Sequence, residues 1–145
     1  MVKERRLDIP EYRLELSKYR FERAKENVNA SEELLESGYI NISASRSYYA
    51  VFYALLAVTE LDGFESSKHS GVISYFNRNY VRTGIFDAKT SKIISYAFRN
   101  RRYADYEGLY EASPEDAQKQ IDVAEEIISM IQSYLESRWA EMEKK

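Results

Sequence analysis

Apolar positions recur along this chain with a helical period, and the interruptions in that pattern mark out five segments. The clearest lies towards the C-terminal end. Ile121, Ala124, Ile127, Ile128, Ile131, Tyr134 and Leu135 follow one another at helical spacing and so share one face. Ser113-Pro114-Glu115-Asp116 predicts the start of that helix, with a capping hydroxyl, a first-turn proline and acids at the positive end of the dipole. A first helix is predicted from about Pro10 to Ser37, with Tyr12, Leu16, Tyr19, Arg23 and Val28 as an irregular stripe and Gly38 as the stop.

A second helix, from about Ile42 to Leu61 with Asn41 or Ser43 as cap, is apolar almost all round, which places it at the centre of a bundle. Asp62-Gly63 ends it. A third begins after Ser66-Ser67, carries Val72, Ile73, Tyr75 and Phe76, and ends before Thr83-Gly84. Asp87 is the predicted cap of a fourth, with Ile93, Ile94, Ala97 and Phe98 at helical spacing. Short turns between such elements predict an all-α fold, an up-and-down bundle of four long helices plus a shorter one. With no Pro/Gly/Ser linker to divide it, the chain reads as one domain over residues 1–145, with a core at about 10–136 and charged ends.

Composition changes this picture by exclusion. The longest uncharged apolar run, Tyr48 to Val58, falls well short of the roughly 20 residues a bilayer span requires, so no membrane association is expected. The first ten residues are highly charged and lack the apolar stretch of a secretory signal. There is no cysteine, hence no disulfide and no thiolate metal site, and a cytoplasmic location is the expectation. His69 is the sole histidine, which excludes a di-iron site built from two Glu-x-x-His motifs. No glycine-rich phosphate loop occurs, and His69 has no nucleophile motif beside it. Neither a cofactor nor a metal is expected.

Charge is segregated. Residues 1–65 carry nine Lys/Arg against twelve Asp/Glu, and residues 103–145 carry four against eleven. Between them, residues 66–102 hold Lys68, Arg78, Arg82, Lys89, Lys92, Arg99, Arg101 and Arg102 against Asp87 alone. Such a basic middle suits an anionic ligand, unless the charges scatter around their helices and pair with neighbours.

The most unusual segment is Phe98-Arg99-Asn100-Arg101-Arg102-Tyr103-Ala104-Asp105-Tyr106. On a helix Arg101 and Arg102 share a face with Asp105, which could orient a guanidinium that grips a phosphate oxygen. Tyr103 and Tyr106 are spaced to stack near that face and support a base. The plainer reading is a solvated helix end in which arginines complement the dipole and Asp105 forms a surface ion pair. Arg46, inside a helix that otherwise reads as buried, needs an acidic or anionic partner. Asp105 or a Glu of the first helix would make it a structural pair; a cleft would make it a ligand-binding cation. His69, in Lys68-His69-Ser70-Gly71, reads first as a residue that caps or packs at the start of the third helix. It is also the leading candidate for proton transfer, since histidine titrates near neutrality. The tyrosines read as core, their hydroxyls reaching polar partners at the bundle edge or a subunit interface.

The run from Asn41 to Ala54 (Asn-Ile-Ser-Ala-Ser-Arg-Ser-Tyr-Tyr-Ala-Val-Phe-Tyr-Ala), followed by Lys68-His69-Ser70-Gly71, resembles the second and third helices of HEPN proteins, in particular the branch known as UPF0332. Arg101-Arg102-Tyr103-Ala104-Asp105-Tyr106 before a long acidic helix is similar to that branch too. The resemblance spans roughly residues 10–136. It implies a five-helix bundle, commonly a homodimer with the arginine-rich helices lining a shared cleft, and a minimal nucleotidyltransferase as partner. Many HEPN proteins are metal-independent RNases and toxins of toxin–antitoxin pairs. Their motif is an Arg, a polar residue, and a His a few positions on. Arg99-Asn100 matches its start, but Ala104 and Asp105 stand where the His would fall. An aspartic acid, with an ordinary pKa near about 3.9, is a poor general acid beside two arginines.

Three readings follow. The first is a binding module for a nucleotide or RNA acting with a nucleotidyltransferase in a toxin–antitoxin-like system, with Asn100, Arg101, Tyr103, Tyr106, Arg46 and Lys68 holding the ligand. The second is an RNase toxin using Arg99, Arg102, Asp105 and His69. The third is a helical assembly protein without a ligand.

Overall fold

A computed structural model of the chain describes residues 9–66, 68–99 and 111–144. Among them are five α-helices: α1 (Pro10–Glu36), α2 (Ile40–Thr59), α3 (His69–Phe76), α4 (Lys89–Arg99) and α5 (Pro114–Glu143). A 3₁₀ turn, Glu60–Asp62, prolongs α2, and a π-helical turn, Asn77–Val81, prolongs α3. The all-α bundle expected from the periodicity is what forms. No helix among the described residues is long and apolar enough to cross a membrane.

Local sequence accounts for most boundaries. Pro10 opens α1, and Gly38 and Gly84, both at φ of +87°, take the left-handed conformation that other residues avoid. Ser113 and Asp116 form a reciprocal capping box at the start of α5, each side chain accepting from the other's backbone N–H. Asp87 accepts from the Lys89 N–H at the start of α4. The start of α2 departs from expectation. The helix begins earlier, at Ile40, and neither Asn41 nor Ser43 caps it. Asn41 accepts from the Ala112 N–H instead, tying α2 to the approach to α5, while Ser43 faces α1.

α2 packs chiefly against α1 and α5, and most of its length is buried. Of the expected α1 stripe of Tyr12, Leu16, Tyr19, Arg23 and Val28, only Val28 is buried: Tyr19 is more than half exposed, and the buried positions are Ser17, Phe21, Ala24, Asn27, Val28 and Ser31. Small and polar residues win here because they let two backbones approach and exchange hydrogen bonds. Ser31 Oγ donates to the Ser43 carbonyl and Ser43 Oγ donates to the Ser31 carbonyl, each at 2.7 Å. Ser17 Oγ donates to the Ala57 carbonyl of α2 at 2.6 Å and accepts from Trp139 Nε1 of α5 at 2.9 Å. One hydroxyl thus joins the three longest helices. Around this frame a single apolar core takes in Val72 and Phe76 from α3, Ile94, Ala97 and Phe98 from α4, and the predicted isoleucine stripe of α5.

Two acids lock the end of α2. Asp62 accepts from the Tyr80 hydroxyl and pairs with Arg138 Nη2 at 3.0 Å, and Arg138 Nη1 donates to the Tyr134 hydroxyl at 2.6 Å. Glu60 is fully buried; Arg20 Nε donates to its Oε2 at 3.3 Å, and its Oε1 has no hydrogen-bond partner. Burial outweighs the attraction of Arg20 and raises the Glu60 pKa to about 7.

The raised pKa means that the folded state holds the proton more tightly than the unfolded chain, so Glu60 withdraws stability as pH climbs from its unfolded value towards 7. Glu60→Gln keeps an acceptor for Arg20 and removes the buried charge. Urea unfolding should show the variant more stable than the parent by about 1–3 kcal/mol at pH 8. The difference should shrink towards zero near pH 4.5, and equal curves at both pH values would contradict the assignment. Ser17→Ala strips two partners at once, and the same titration should register a loss of about 1–3 kcal/mol.

Candidate functional site

His69 is the first residue of α3, and the local chain explains why it sits where it does. Ser66 Oγ accepts from the Lys68 N–H and closes the entry turn. Gly71 makes room for that turn, since a Cβ there would fall 2.6 Å from Ser66 Oγ. The half-buried imidazole lies in a nest of rings supplied by α2 and α4. Its centroid is 4.2 Å from Phe52, 5.3 Å from Tyr48, 6.2 Å from Tyr49 and 6.3 Å from Phe98. Nδ1 is hydrogen-bonded to the hydroxyl of the fully buried Tyr48. The expectation that His69 packs at the start of the third helix is met, and the Tyr48 hydroxyl finds its polar partner there.

One of the sequence-predicted cations adjoins this nest. The Arg46 guanidinium lies 4.9 Å from the centroid of Tyr49, the ring that also meets the imidazole. Its partner on α1 is not the expected glutamate but the amide of Asn27, whose Oδ1 accepts from Nη1 at 3.2 Å; Asn27 Nδ2 in turn donates to the Arg23 carbonyl. A neutral amide orients the guanidinium without cancelling its charge. Arg99 follows directly on Phe98, which packs edge-on against Tyr48 at 5.1 Å. Arg99 is exposed at the last position of α4. Lys68, beside His69, is exposed as well. Asn100, Arg101, Arg102, Tyr103, Asp105 and Tyr106 lie outside the described residues.

The fold therefore brings Arg46 of α2 and His69 of α3 to one cluster of aromatic rings, with Lys68 adjacent to His69 and Arg99 adjacent to Phe98 in the chain. Chemically the arrangement offers several positive charges for an anion, ring faces and edges for a base, and one imidazole fixed by packing and a hydrogen bond. Of the eight basic residues in the middle segment, the six that are described are all exposed: Lys68, Arg78, Arg82, Lys89, Lys92 and Arg99.

Sequence reasoning missed a second feature. Tyr96 of α4 carries two cations against its ring, Arg99 Cζ at 5.5 Å and Lys119 Nζ of α5 at 4.7 Å. The spacing of Tyr96 and Arg99, three apart on a helix, was visible in the sequence. Nothing in the sequence tied Lys119 to them, because the contact depends on how α4 and α5 cross.

Comparison with known proteins agrees with this architecture. Residues 17–134 match the family model described as the HEPN domain. A UPF0332 protein of Thermotoga maritima is 32% identical over 111 residues, covering 77% of this chain and 84% of the relative. A Methanocaldococcus jannaschii protein named as a candidate toxin is 31% identical over 113 residues, covering 78% of this chain and 77% of the relative. A second candidate toxin of that organism is 30% identical over 110 residues, covering 76% and 81%. Matched by that family model over most of its length, and helical throughout its described core, this chain belongs to the HEPN family.

Proposed function

We propose that this protein is a nucleic-acid-binding HEPN module of a toxin–antitoxin-like system, working in the cytoplasm as a homodimer with a minimal nucleotidyltransferase as partner. The observation that carries the reading is the Arg46 guanidinium set 4.9 Å from the ring of Tyr49, which also meets the imidazole of His69. A guanidinium oriented by a ring and an amide, with no carboxylate partner among the described residues, suits phosphate, and flanking rings suit a base. The candidate-toxin names of two relatives support the toxin–antitoxin setting. Asn100, Arg101, Tyr103 and Tyr106 extend the same site in this reading.

A second reading, a metal-independent RNase, is favoured by one specific observation. His69 reaches the site from α3, one ring away from Arg46 and from the Phe98-Arg99 end of α4. Cleavage of RNA without a metal needs a group that accepts and returns a proton beside a phosphate-binding cation, and an imidazole can do that work. Arg99 and Arg102 would then hold the phosphate and Asp105 would orient an arginine.

Fluorescence anisotropy with a labelled single-stranded RNA, run in EDTA alongside a cleavage assay, tests both. The expected result is binding that weakens as salt rises, with Arg46→Ala reducing affinity about three- to tenfold. Binding without cleavage favours the module; cleavage that disappears in His69→Gln while binding persists establishes the RNase. Absence of binding by the folded protein at low salt would sink both readings. Light scattering at micromolar concentration should give twice the mass of the chain, and a monomer would remove the dimer from the proposal.

A further inference from the structure

Tyr96 and Phe98 are two residues apart on α4, so at 3.6 residues per turn their side chains leave the helix in nearly opposite directions. Phe98 is buried and joins the nest around His69. Tyr96 looks the other way, towards Lys119 on the first turns of α5, and Arg99 sits one turn on from it at the exposed end of α4. Lys92, exposed one turn before Tyr96, continues the same face.

This group has the character of an anion subsite. Arg99 and Lys119 are held by one phenol ring, and among the described residues no carboxylate lies within ion-pairing distance of either. The acids nearest Lys119 along α5 are engaged: Asp116 by the Ser113 cap and Asp122 by the Gln118 amide, at 3.0 Å. Glu115 is exposed at the helix start, where the dipole favours it. Fixing two flexible cations against a ring lowers the entropy lost when they close on a phosphate, which a lone surface lysine does not achieve.

We propose that Tyr96, Arg99 and Lys119 form a second phosphate-binding subsite, and that the ligand is a single-stranded RNA longer than one nucleotide. The length follows from the geometry. The Tyr96 subsite and the His69 nest lie on opposite sides of α4, and a helix with its side chains is about 10 Å across. A mononucleotide engages one side or the other. A strand that engages both must bridge the width of that helix. This inference rests on the reading that the nest binds RNA.

The test compares a labelled twelve-nucleotide single-stranded RNA with AMP, using the full chain and the variants Lys119→Ala, Lys119→Glu and Arg46→Ala. Lys119 is exposed, and circular dichroism checks that each variant folds. Lys119→Ala should weaken the oligonucleotide about three- to tenfold, lower the slope of log affinity against log salt by about 0.7, and leave AMP binding unchanged. Lys119→Glu should weaken it further, whereas Arg46→Ala should weaken both ligands. If both Lys119 variants bind the oligonucleotide as the parent does while Arg46→Ala does not, the second subsite is wrong and the RNA-binding reading stands. If the parent protein binds no RNA, both fall. Displacement of the oligonucleotide by polyglutamate at equal charge concentration would identify the face as a dock for acidic peptide and overturn the proposal.

Discussion

The Ser17 hydroxyl donates to a carbonyl of α2 and accepts from the indole of α5, and this small polar contact sets the distance between the three longest helices. Together with the reciprocal Ser31–Ser43 pair, it lets α1 and α2 approach more closely than large side chains would allow. The consequence reaches the candidate site. With its other flanks occupied, α2 presents Tyr48, Tyr49 and Phe52 to α3 and α4, and those rings fix the imidazole of His69. Buried hydroxyls that satisfy backbone carbonyls are stabilising only while every partner is present, so the frame has little tolerance for change.

The site inherits its rigidity from that frame. Packing, a hydrogen bond to Tyr48 and the tight entry turn at Ser66 and Gly71 all constrain His69 from different elements. Arg46 is oriented by an aromatic face and a neutral amide, which keep its direction and leave its charge. Positioning groups on helices in this way gives better-defined geometry than a loop would. The cost of burial appears elsewhere, in Glu60, whose carboxyl is held near neutrality in its pKa by an environment that resists its charge.

Legibility in the sequence followed the range of the interactions. The cap and stripe of α5, the glycine stops and the central position of α2 depend on neighbours within a turn or two, and all were readable. The stripe assigned to α1 is buried only at Val28, because hydrophobicity is an incomplete guide to burial there. That face is decided by small residues whose value lies in close approach, and Tyr19 remains exposed. Among the described residues Arg46 meets no glutamate of α1 but Asn27, a polar residue buried there, while Asp105, the other expected partner, lies outside them. His69 was recognisable by its chemistry, but its distance from Arg46 and Arg99 was not, since each belongs to a different helix. Lys119 stands in an acidic segment and gave no local signal at all.

The charge segregation of the sequence takes a different meaning once the helices are packed. The boundary between a basic middle and an acidic end, drawn along the chain, does not survive in space, because Lys119 crosses it to share a ring with Arg99. The described basic residues of the middle segment are all at the surface, so their charges are available to a ligand and are not consumed in core pairs. The one imidazole is placed on the inner side of α4 by aromatic packing, and the Tyr96-held cations lie on its outer side.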